Sequence, residues 1–220
     1  MQRPHRLVPA LLALAWLAGC GLGEVPNLES SGTTIVCLGD SITAGVGAEP
    51  GESYPQRLEE LLGVPVVNAG VAGDTTADGL ARLGRVLAHD PWLVIVELGG
   101  NDLLRRRPVE QAEADLSALV DSLLAAGSAV VLVETEAPLF GGAYDELAAT
   151  VARRAGIPLV EGVVGEVLAD PSRKSDQIHP NAAGYADIAR AVAHVVAPLL
   201  EERRRRGLPV APAEAAPEAA

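Results

Sequence analysis

Ser41 stands where a protein can present a nucleophile. It follows an apolar stretch of strand length at 34–38, with Gly39 two positions before it. The free hydroxyl of serine is a poor nucleophile at neutral pH, so it attacks a carbonyl carbon only when a neighbouring base takes its proton. A serine in this position can also cap a helix. Ser41 alone therefore leaves a catalytic role and a capping role open.

A base for Ser41 can be sought among the four histidines of the chain. Three of them lie in places that do not suit a catalytic base: in the N-terminal segment, at the end of a helical pattern and inside one (His5, His89 and His194). His179 lies in a loop before a helical pattern, with Asp176 three residues earlier. Within one turn of chain, Asp176 can bond Nδ1 of His179 and leave Nε2 to take the serine proton. The pattern D-x-x-H can equally be a capping turn.

Acyl transfer also needs donors for the oxyanion that forms on the substrate carbonyl. Asn101 offers a side-chain amide in the stretch G-G-N-D, where Gly100 permits close approach. The backbone N–H of Ser41 and that of a loop glycine can complete the set of donors. G-G-N-D can also be a simple turn.

A metal-dependent hydrolase is a weaker interpretation of the same loops, built on Asp40, Asp102, Asp176 and His179. The chain has one usable loop histidine and lacks H-x-x-x-H, whereas catalytic zinc sites usually draw on several such ligands. We therefore expect neither a metal nor a cofactor.

The elements that must position these residues alternate along the chain. Apolar runs of strand length occur five times (34–38, 65–67, 93–98, 129–133 and 157–160), with helical patterns between them. Capping patterns at Ser53 and Thr75 indicate where two helices begin, and Pro198 is expected to bend or end the last helix. This alternation predicts a parallel sheet in a doubly wound α/β domain, whose ligands bind beyond the carboxyl ends of the strands.

Four stretches of the chain resemble, in order, the four sequence blocks of the SGNH (GDSL-type) hydrolases. They read G-D-S-I-T, V-N-A-G-V-A-G-D-T, G-G-N-D and D-Q-I-H-P, and the resemblance covers about 34–189. It is strongest to the bacterial thioesterase, arylesterase and lysophospholipase branch. The resemblance implies a flavodoxin-like fold, a three-layer α/β/α sandwich with a five-stranded parallel sheet.

The same resemblance implies a role for each candidate residue. Ser41 would be the nucleophile, His179 the base and Asp176 the residue that orients the base. The oxyanion donors would be the N–H of Ser41, the N–H of Gly73 and the side chain of Asn101. Gly73 is chosen because it directly precedes Asp-Thr, as in the branch that the chain resembles.

Gly70, in the same block, is the alternative oxyanion glycine. The reaction expected is the hydrolysis of carboxylic acyl esters, with short-chain or aryl esters, lysophospholipids and thioesters as substrates. A carbohydrate acetylesterase of the same family is one alternative. A non-enzymatic surface lipoprotein that binds acyl chains or glycans is the other.

Three consecutive cations, Arg105 to Arg107, follow Asn101 closely. They can hold an anionic group such as a lysophospholipid phosphate, or they can form a solvated basic loop ahead of Pro108. The loops 103–108 and 136–143 are expected to set the size of the acyl pocket.

The N-terminus has the pattern of a targeting segment. Arg3 and Arg6 precede an apolar run over 7–17 that is too short to span a bilayer, and L-A-G-C follows it. This resembles the bacterial lipobox and predicts a signal peptide over 1–19 and a lipid-modified Cys20. The mature protein would be an exported lipoprotein, held at a membrane by that lipid.

The remaining boundaries follow from composition. A flexible tether is predicted over 20–32, the hydrolase domain over 33–201, and a disordered tail over 202–220, which is rich in Arg and then in Ala and Pro. With Cys20 modified, Cys37 has no partner for a disulfide, and its apolar context predicts a buried, inert thiol.

The charge of the chain excludes some partners. Its 220 residues carry 17 basic and 29 acidic side chains, a net charge of -12. Nucleic acid needs a basic surface, so it is not expected as a partner. An anionic membrane would not hold so acidic a protein by charge alone, and attachment would depend on the lipid. The sequence makes no prediction of the oligomeric state.

Overall fold

The computed structural model describes residues 25–135, 142 and 144–212. Cys20, the predicted signal peptide, most of the predicted loop 136–143 and residues 213–220 lie outside the described residues. The described chain forms five strands: β1 (Thr34–Gly39), β2 (Val66–Gly70), β3 (Pro91–Glu97), β4 (Ala129–Val133) and β5 (Leu159–Val160). It forms nine helices: α1 (Ser41–Ala44), α2 (Tyr54–Leu62), α3 (Thr76–Ala81), α4 (Leu83–Leu87), α5 (Gly100–Leu104), α6 (Val109–Ala125), α7 (Leu147–Ala155), α8 (Val163–Ala169) and α9 (Ala182–Arg205).

The five strands pair in parallel in the order β2-β1-β3-β4-β5. This is the strand order of flavodoxin-like sheets, as predicted. The order reverses at β1, because the chain adds β2 on one side of it and β3 on the other. In the register, Gly39 lies between Gly70 of β2 and Glu97 of β3. The loops that follow these three strands are therefore neighbours at one edge of the sheet.

Both faces of the sheet are covered, which explains why the strands are continuously apolar. Ile35 and Cys37 of β1 belong to the core on one face, with side chains of α2 and α9. Val36 and Leu38 belong to the core on the other face, with side chains of α6 and α7. Cys37 is free and buried, and burial raises the pKa of its thiol, which agrees with the predicted inert role.

The two predicted capping patterns form at the starts of α2 and α3. The side chain of Gln56 accepts from the hydroxyl of Ser53, 2.7 Å away. Thr75 caps α3, and the carboxylate of Asp78 accepts from its backbone N–H and from its hydroxyl. Local sequence signals thus determine where both helices begin.

The structure packs residues on both sides of the predicted domain boundaries, 33 and 201, against the domain. Arg203 is fully buried and donates hydrogen bonds to the carbonyl oxygens of Leu28, Ser30, Gly32 and Pro209. A buried guanidinium needs several acceptors, and the two terminal segments supply them. Residues 25–32 and 202–212 are therefore parts of the folded domain.

The last helix continues past Pro198 to Arg205, so it does not end at the proline, one of the two outcomes that this residue predicts. Proline removes one intrahelical hydrogen bond, but buried side chains continue on both sides of it, at Val196, Leu199 and Leu200. Packing of this apolar face keeps the helix in place as far as Arg205. Within the described part of the chain, no helix combines the length and the apolar character that crossing a bilayer requires.

Candidate active site

Ser41 is the first residue of α1, directly beyond the carboxyl end of β1. The helix cap is Asp40, whose carboxylate accepts a hydrogen bond of 3.0 Å from the backbone N–H of Ile42. Because Asp40 fills the capping role, the hydroxyl of Ser41 is not used as a cap. It is left to face the loop that carries His179.

The imidazole of His179 links Ser41 to Asp176. Nε2 lies 3.1 Å from the Ser41 hydroxyl oxygen, and Nδ1 lies 2.8 Å from Oδ2 of Asp176. An ionised carboxylate only accepts hydrogen bonds, so the ring carries its proton on Nδ1 and accepts from the serine hydroxyl through Nε2. The three residues thus form one directed chain of hydrogen bonds.

Asp176 has a second task within its own loop. Its Oδ1 accepts from the backbone N–H groups of Ile178 and His179, at 2.8 and 2.9 Å. Burial works against the charge of this carboxyl, but the hydrogen bonds from His179 and Ile178 outweigh it and lower the pKa of Asp176. The D-x-x-H turn is therefore a capping turn and a base-orienting pair at once.

Asn101, on α5, lies across from Asp40. Its side-chain Nδ2 donates to Oδ2 of Asp40 at 2.8 Å and to the backbone carbonyl of Asp74 at 3.0 Å. Both hydrogens of the amide are thus engaged. Any substrate oxygen that Asn101 binds must share or replace one of these two acceptors.

The two candidate oxyanion glycines have different surroundings. The N–H of Gly70 donates to Oδ1 of Asn68 at 2.9 Å, and a side chain at this position would collide with the backbone of Ala44, 2.2 Å away. Gly73 has φ +89, a conformation that favours glycine, and its N–H has no acceptor among the described residues. The geometry therefore favours Gly73 over Gly70 as a donor.

The three consecutive arginines have separate environments. Arg107 bonds the fully buried carboxylate of Asp102 and also Asp115, 2.6 Å away, so it belongs to the internal structure. Arg105 is about half exposed; it donates to the carbonyl oxygen of Gly73 at 2.7 Å and faces Asp78. Arg105 thus supports the loop that presents the Gly73 N–H.

Glu97 is a residue near the site that the sequence analysis missed. It ends β3 and is fully buried, with its two oxygens accepting from the hydroxyls of Thr43 and Thr135, each at 3.0 Å. Its carboxyl group lies close to that of Asp40, because Glu97 pairs in the register with Gly39, the residue before Asp40. The available signal was an acidic residue inside the apolar run L-V-I-V-E-L.

Arg82 is a second residue that the sequence analysis missed. Its guanidinium donates to the carbonyl oxygens of Gly39 and Ala69, at 2.9 and 2.7 Å, and pairs with Asp74. It thereby ties the loop after β2 to the strand that leads to the serine. A lone arginine after a helical pattern carries no sequence signal for this role.

Asp102 and Asp176, two of the acidic residues that a metal site would use, bond different partners. Asp102 accepts from the backbone N–H and hydroxyl of Thr76, whereas Asp176 is occupied by His179. Within the ranges that the structure describes, no group of three or more His, Cys, Asp or Glu side chains is arranged to hold a metal ion.

Comparison with known proteins identifies the family. Residues 37–186 match the GDSL-like Lipase/Acylhydrolase family. The Thioesterase 1/protease 1/lysophospholipase L1 of Escherichia coli (strain K12) is 34% identical over 176 residues, covering 76% of this chain and 85% of that protein. Esterase TesA of Pseudomonas aeruginosa is 32% identical over 199 residues, covering 84% of this chain and 98% of that protein.

A solved structure agrees with both relatives. The esterase EstA from Pseudoalteromonas sp., in a structure inhibited by monoethylphosphonate, has a TM-score of 0.69 at 25% identity, covering 77% of this chain and 99% of that chain. The fold, the site and these similarities define the class of the protein, a carboxylic ester hydrolase. The chain belongs to the GDSL-like lipase/acylhydrolase family.

Proposed function

We propose that the protein hydrolyses acyl esters in two steps through an acyl-enzyme on Ser41. The observation that carries this proposal is the hydrogen-bond chain from Ser41 through His179 to Asp176. As the serine oxygen attacks the ester carbonyl, its proton passes to Nε2 of His179. Asp176 stabilises the imidazolium that forms, because its carboxylate already bonds Nδ1–H.

The oxyanion of the tetrahedral intermediate takes its hydrogen bonds from the N–H groups of Ser41 and Gly73 and from the amide of Asn101. The intermediate collapses when His179 returns the proton to the leaving alcohol. Water then enters, loses a proton to Nε2 and releases the acid by the same route. Each oxyanion donor contributes about 3 kcal/mol to lowering the barrier.

The exposed side chains around the site favour a substrate that has an apolar acyl group. Five large apolar side chains are exposed in the described part of the chain, and four of them lie in the loops or helix ends that carry Ser41, Gly73, Asn101 and His179 (Val46, Val71, Leu104 and Ile178). Exposed apolar side chains favour contact with a hydrocarbon chain over contact with a sugar. The relatives named above as esterase, thioesterase and lysophospholipase fit this substrate class.

We further propose that Cys20 carries the lipid anchor predicted from the lipobox. The described chain begins at Val25, near the amino ends of β3 and β4, where Asn27 bonds the carbonyls of Leu124 and Ser128. Five residues span at most about 18 Å. An anchor at Cys20 would therefore leave the catalytic edge of the sheet, on the opposite side, directed away from the bilayer.

The nucleophile is tested with Ser41→Ala and p-nitrophenyl butyrate. We expect kcat to fall about 10⁴-fold or more, because the other groups cannot form the acyl-enzyme. A fluorophosphonate should label the wild-type peptide that contains Ser41, as mass spectrometry can detect. Ser122→Ala, at a half-buried serine on α6, is the matched control and should behave as wild type. An active, labelled Ser41→Ala variant would contradict the proposal.

The substrate class is tested with p-nitrophenyl esters of increasing acyl length, together with lysophosphatidylcholine, an acyl thioester and an acetylated sugar. We expect kcat/KM to rise from the acetate to medium-chain esters, because each added methylene buries apolar surface against the rim of the site. The highest kcat/KM on the acetylated sugar would identify a carbohydrate acetylesterase instead.

A further inference from the structure

Two carboxyl groups are buried together directly behind the catalytic serine. Glu97 is fully buried and Asp40 is 3% exposed. Asp40 follows Gly39, which lies beside Glu97 in the register of β1 and β3, so the two carboxyl groups are close enough to interact. A hydrogen bond between two carboxyl groups requires a proton on one of them.

The partners of each group place that proton on Glu97. Asp40 accepts from two N–H donors, those of Ile42 and Asn101, which cannot turn into acceptors. Glu97 is bonded by two threonine hydroxyls, which can rotate to accept as well as donate. Burial raises the pKa of Glu97 well above its ordinary value and that of Asp40 to about 6, so at neutral pH Asp40 is the ionised member.

The two hydrogen bonds of the Asn101 amide differ in strength. The bond to Asp40 has an ionised acceptor, and such bonds are roughly twice as strong as bonds between neutral groups. The bond to the carbonyl of Asp74 joins neutral groups. A substrate oxygen therefore competes for the hydrogen directed at Asp74, while the bond to Asp40 keeps the amide in position.

We propose that Glu97 is a positioning residue for ester hydrolysis: by donating its carboxyl proton to Asp40, it keeps Asp40 an anion that holds the Asn101 amide in place for the oxyanion. The proposal rests on the oxyanion role proposed above for Asn101. Glu97 does not touch the substrate and acts through Asp40.

Loss of the Glu97 donor has a definite consequence. Without it, Asp40 is still buried and loses one of the bonds that favour its charged form, so its pKa rises further and its protonated form becomes more populated at neutral pH. A protonated Asp40 donates a hydrogen bond, and its partner on Asn101 becomes the carbonyl oxygen instead of the nitrogen. The amide then turns, and its N–H points away from the substrate.

The test compares Glu97→Leu with Glu97→Gln on p-nitrophenyl butyrate. Leucine removes the donor, and we expect kcat to fall about 10²-fold, the loss that follows removal of an oxyanion donor, with KM nearly unchanged. Glutamine can donate its amide N–H to Asp40, so kcat should stay close to that of wild type. If folded Glu97→Leu keeps wild-type kcat, or if Glu97→Gln is as slow as Glu97→Leu, the proposal is wrong.

Combination with Asn101→Ala separates this proposal from the one on which it rests. Glu97→Leu should cause no further loss of kcat when Asn101 is already alanine, because its effect passes through that amide. An equal loss in both backgrounds would overturn the positioning role. A fully active Asn101→Ala variant would instead reject the oxyanion role of Asn101 itself.

Folding is controlled by Ser128→Ala, which removes a buried hydrogen bond to Pro91 at the opposite edge of the sheet. This variant should lower the melting temperature and leave kcat unchanged. If Glu97→Leu does not fold, Asp40→Asn replaces it, since asparagine also removes the anion. Asp40→Asn should lower kcat about 10²-fold in the wild type and not further in Asn101→Ala. Unchanged kcat in folded Asp40→Asn would contradict the proposal.

Discussion

One carboxylate oxygen of Asp176 bonds the ring of His179, while the other bonds the backbone N–H of the same residue. The carboxylate is thereby fixed from two sides before it orients the imidazole. This arrangement explains how a carboxylate that is 54% exposed can still hold the imidazole of His179 in one tautomer. The bonds between Asp176 and His179 form within one local turn, whereas the contact between His179 and Ser41 joins distant parts of the chain.

Asp176→Asn should lower kcat by about 10²- to 10⁴-fold on p-nitrophenyl butyrate. The asparagine oxygen can keep the backbone bonds, but its NH₂ then faces Nδ1 and favours the tautomer that carries its proton on Nε2. That ring cannot accept the proton of Ser41. Asp170→Asn is the matched control, because Asp170 forms a similar turn with Ser172 and has no contact with the ring. Equal kcat in the two variants would show that Asp176 does not orient the base.

Gly73→Ala should lower kcat, whereas Gly127→Ala should not. Both glycines have φ near +90, and no atom lies within 3.4 Å of a side chain added at either position. Each alanine should therefore cost about 1 to 3 kcal/mol of unfolding free energy through backbone strain. Only Gly73 faces the site, so only its substitution turns a proposed oxyanion N–H. Thermal unfolding and kcat, measured together, separate the two effects.

Gly70→Ala should reduce stability and activity together, because its side chain would displace the backbone of α1 at Ala44. If Gly70→Ala is instead as stable as the wild type and only its kcat falls, Gly70 is the oxyanion glycine.

Glu97→Gln should become more stable relative to wild type as the pH rises from 5 to 8. Unfolded Glu97 loses its proton near the ordinary pKa of 4.5, whereas burial keeps the folded group protonated. Above that pKa the folded state therefore binds one more proton than the unfolded state, so this group lowers the stability of the wild type as pH rises. The difference in unfolding free energy should grow with pH, by at most about 1.4 kcal/mol per pH unit, and most clearly above pH 7, where Asp40, whose pKa is about 6, no longer titrates.

The measurement for Glu97 is urea unfolding of both proteins at each pH. Tyr54, Cys37 and Tyr185 lie around the pair, and burial raises the pKa of each, so they stay neutral in this range. A stability difference that does not change with pH would show that folded Glu97 is ionised.

Arg107→Ala should mainly lower the free energy of unfolding, whereas Arg105→Ala should mainly lower kcat. Arg107→Ala leaves the buried carboxylate of Asp102 without its cation and should cost about 3 kcal/mol or more. Arg105→Ala removes an exposed pair with Asp78 and should cost less than about 1 kcal/mol. Because Arg105 bonds Gly73, its loss should lower kcat equally for neutral and anionic esters. A loss confined to anionic esters would indicate that it binds a lysophospholipid phosphate.

Cys20→Ala should release the exported protein from the membrane fraction with its esterase activity intact, because the acidic domain has no charge-based affinity for an anionic surface. Cys37→Ala is the control, since it removes the buried thiol and should stay with the membrane. Fractionation and incorporation of labelled palmitate are the measurements. An exported Cys20→Ala protein that remains bound to the membrane in high salt would rule out the anchor.

The sequence was sufficient for features that depend on neighbouring residues. The continuous apolar strands predicted a sheet covered on both faces, and the residues that follow them predicted where the site lies. D-x-x-H and the caps at Ser53 and Thr75 form because three residues of chain bring their partners within reach. These local relationships held in the folded protein.

Tertiary structure alone decided the contacts between distant parts of the chain. Asp40 and Asn101 are 61 residues apart, and Arg203 and Leu28 are 175 apart, so no local pattern pairs them. Burial changes how a residue type behaves: the pKa of Glu97 is raised because the side chain is enclosed. The buried guanidinium of Arg203 likewise bonds Leu28 and Pro209, which lie in the two predicted terminal extensions. Solvent exclusion depends on the whole packed core, which is why the sequence predicted the candidate catalytic side chains but not the groups that support them.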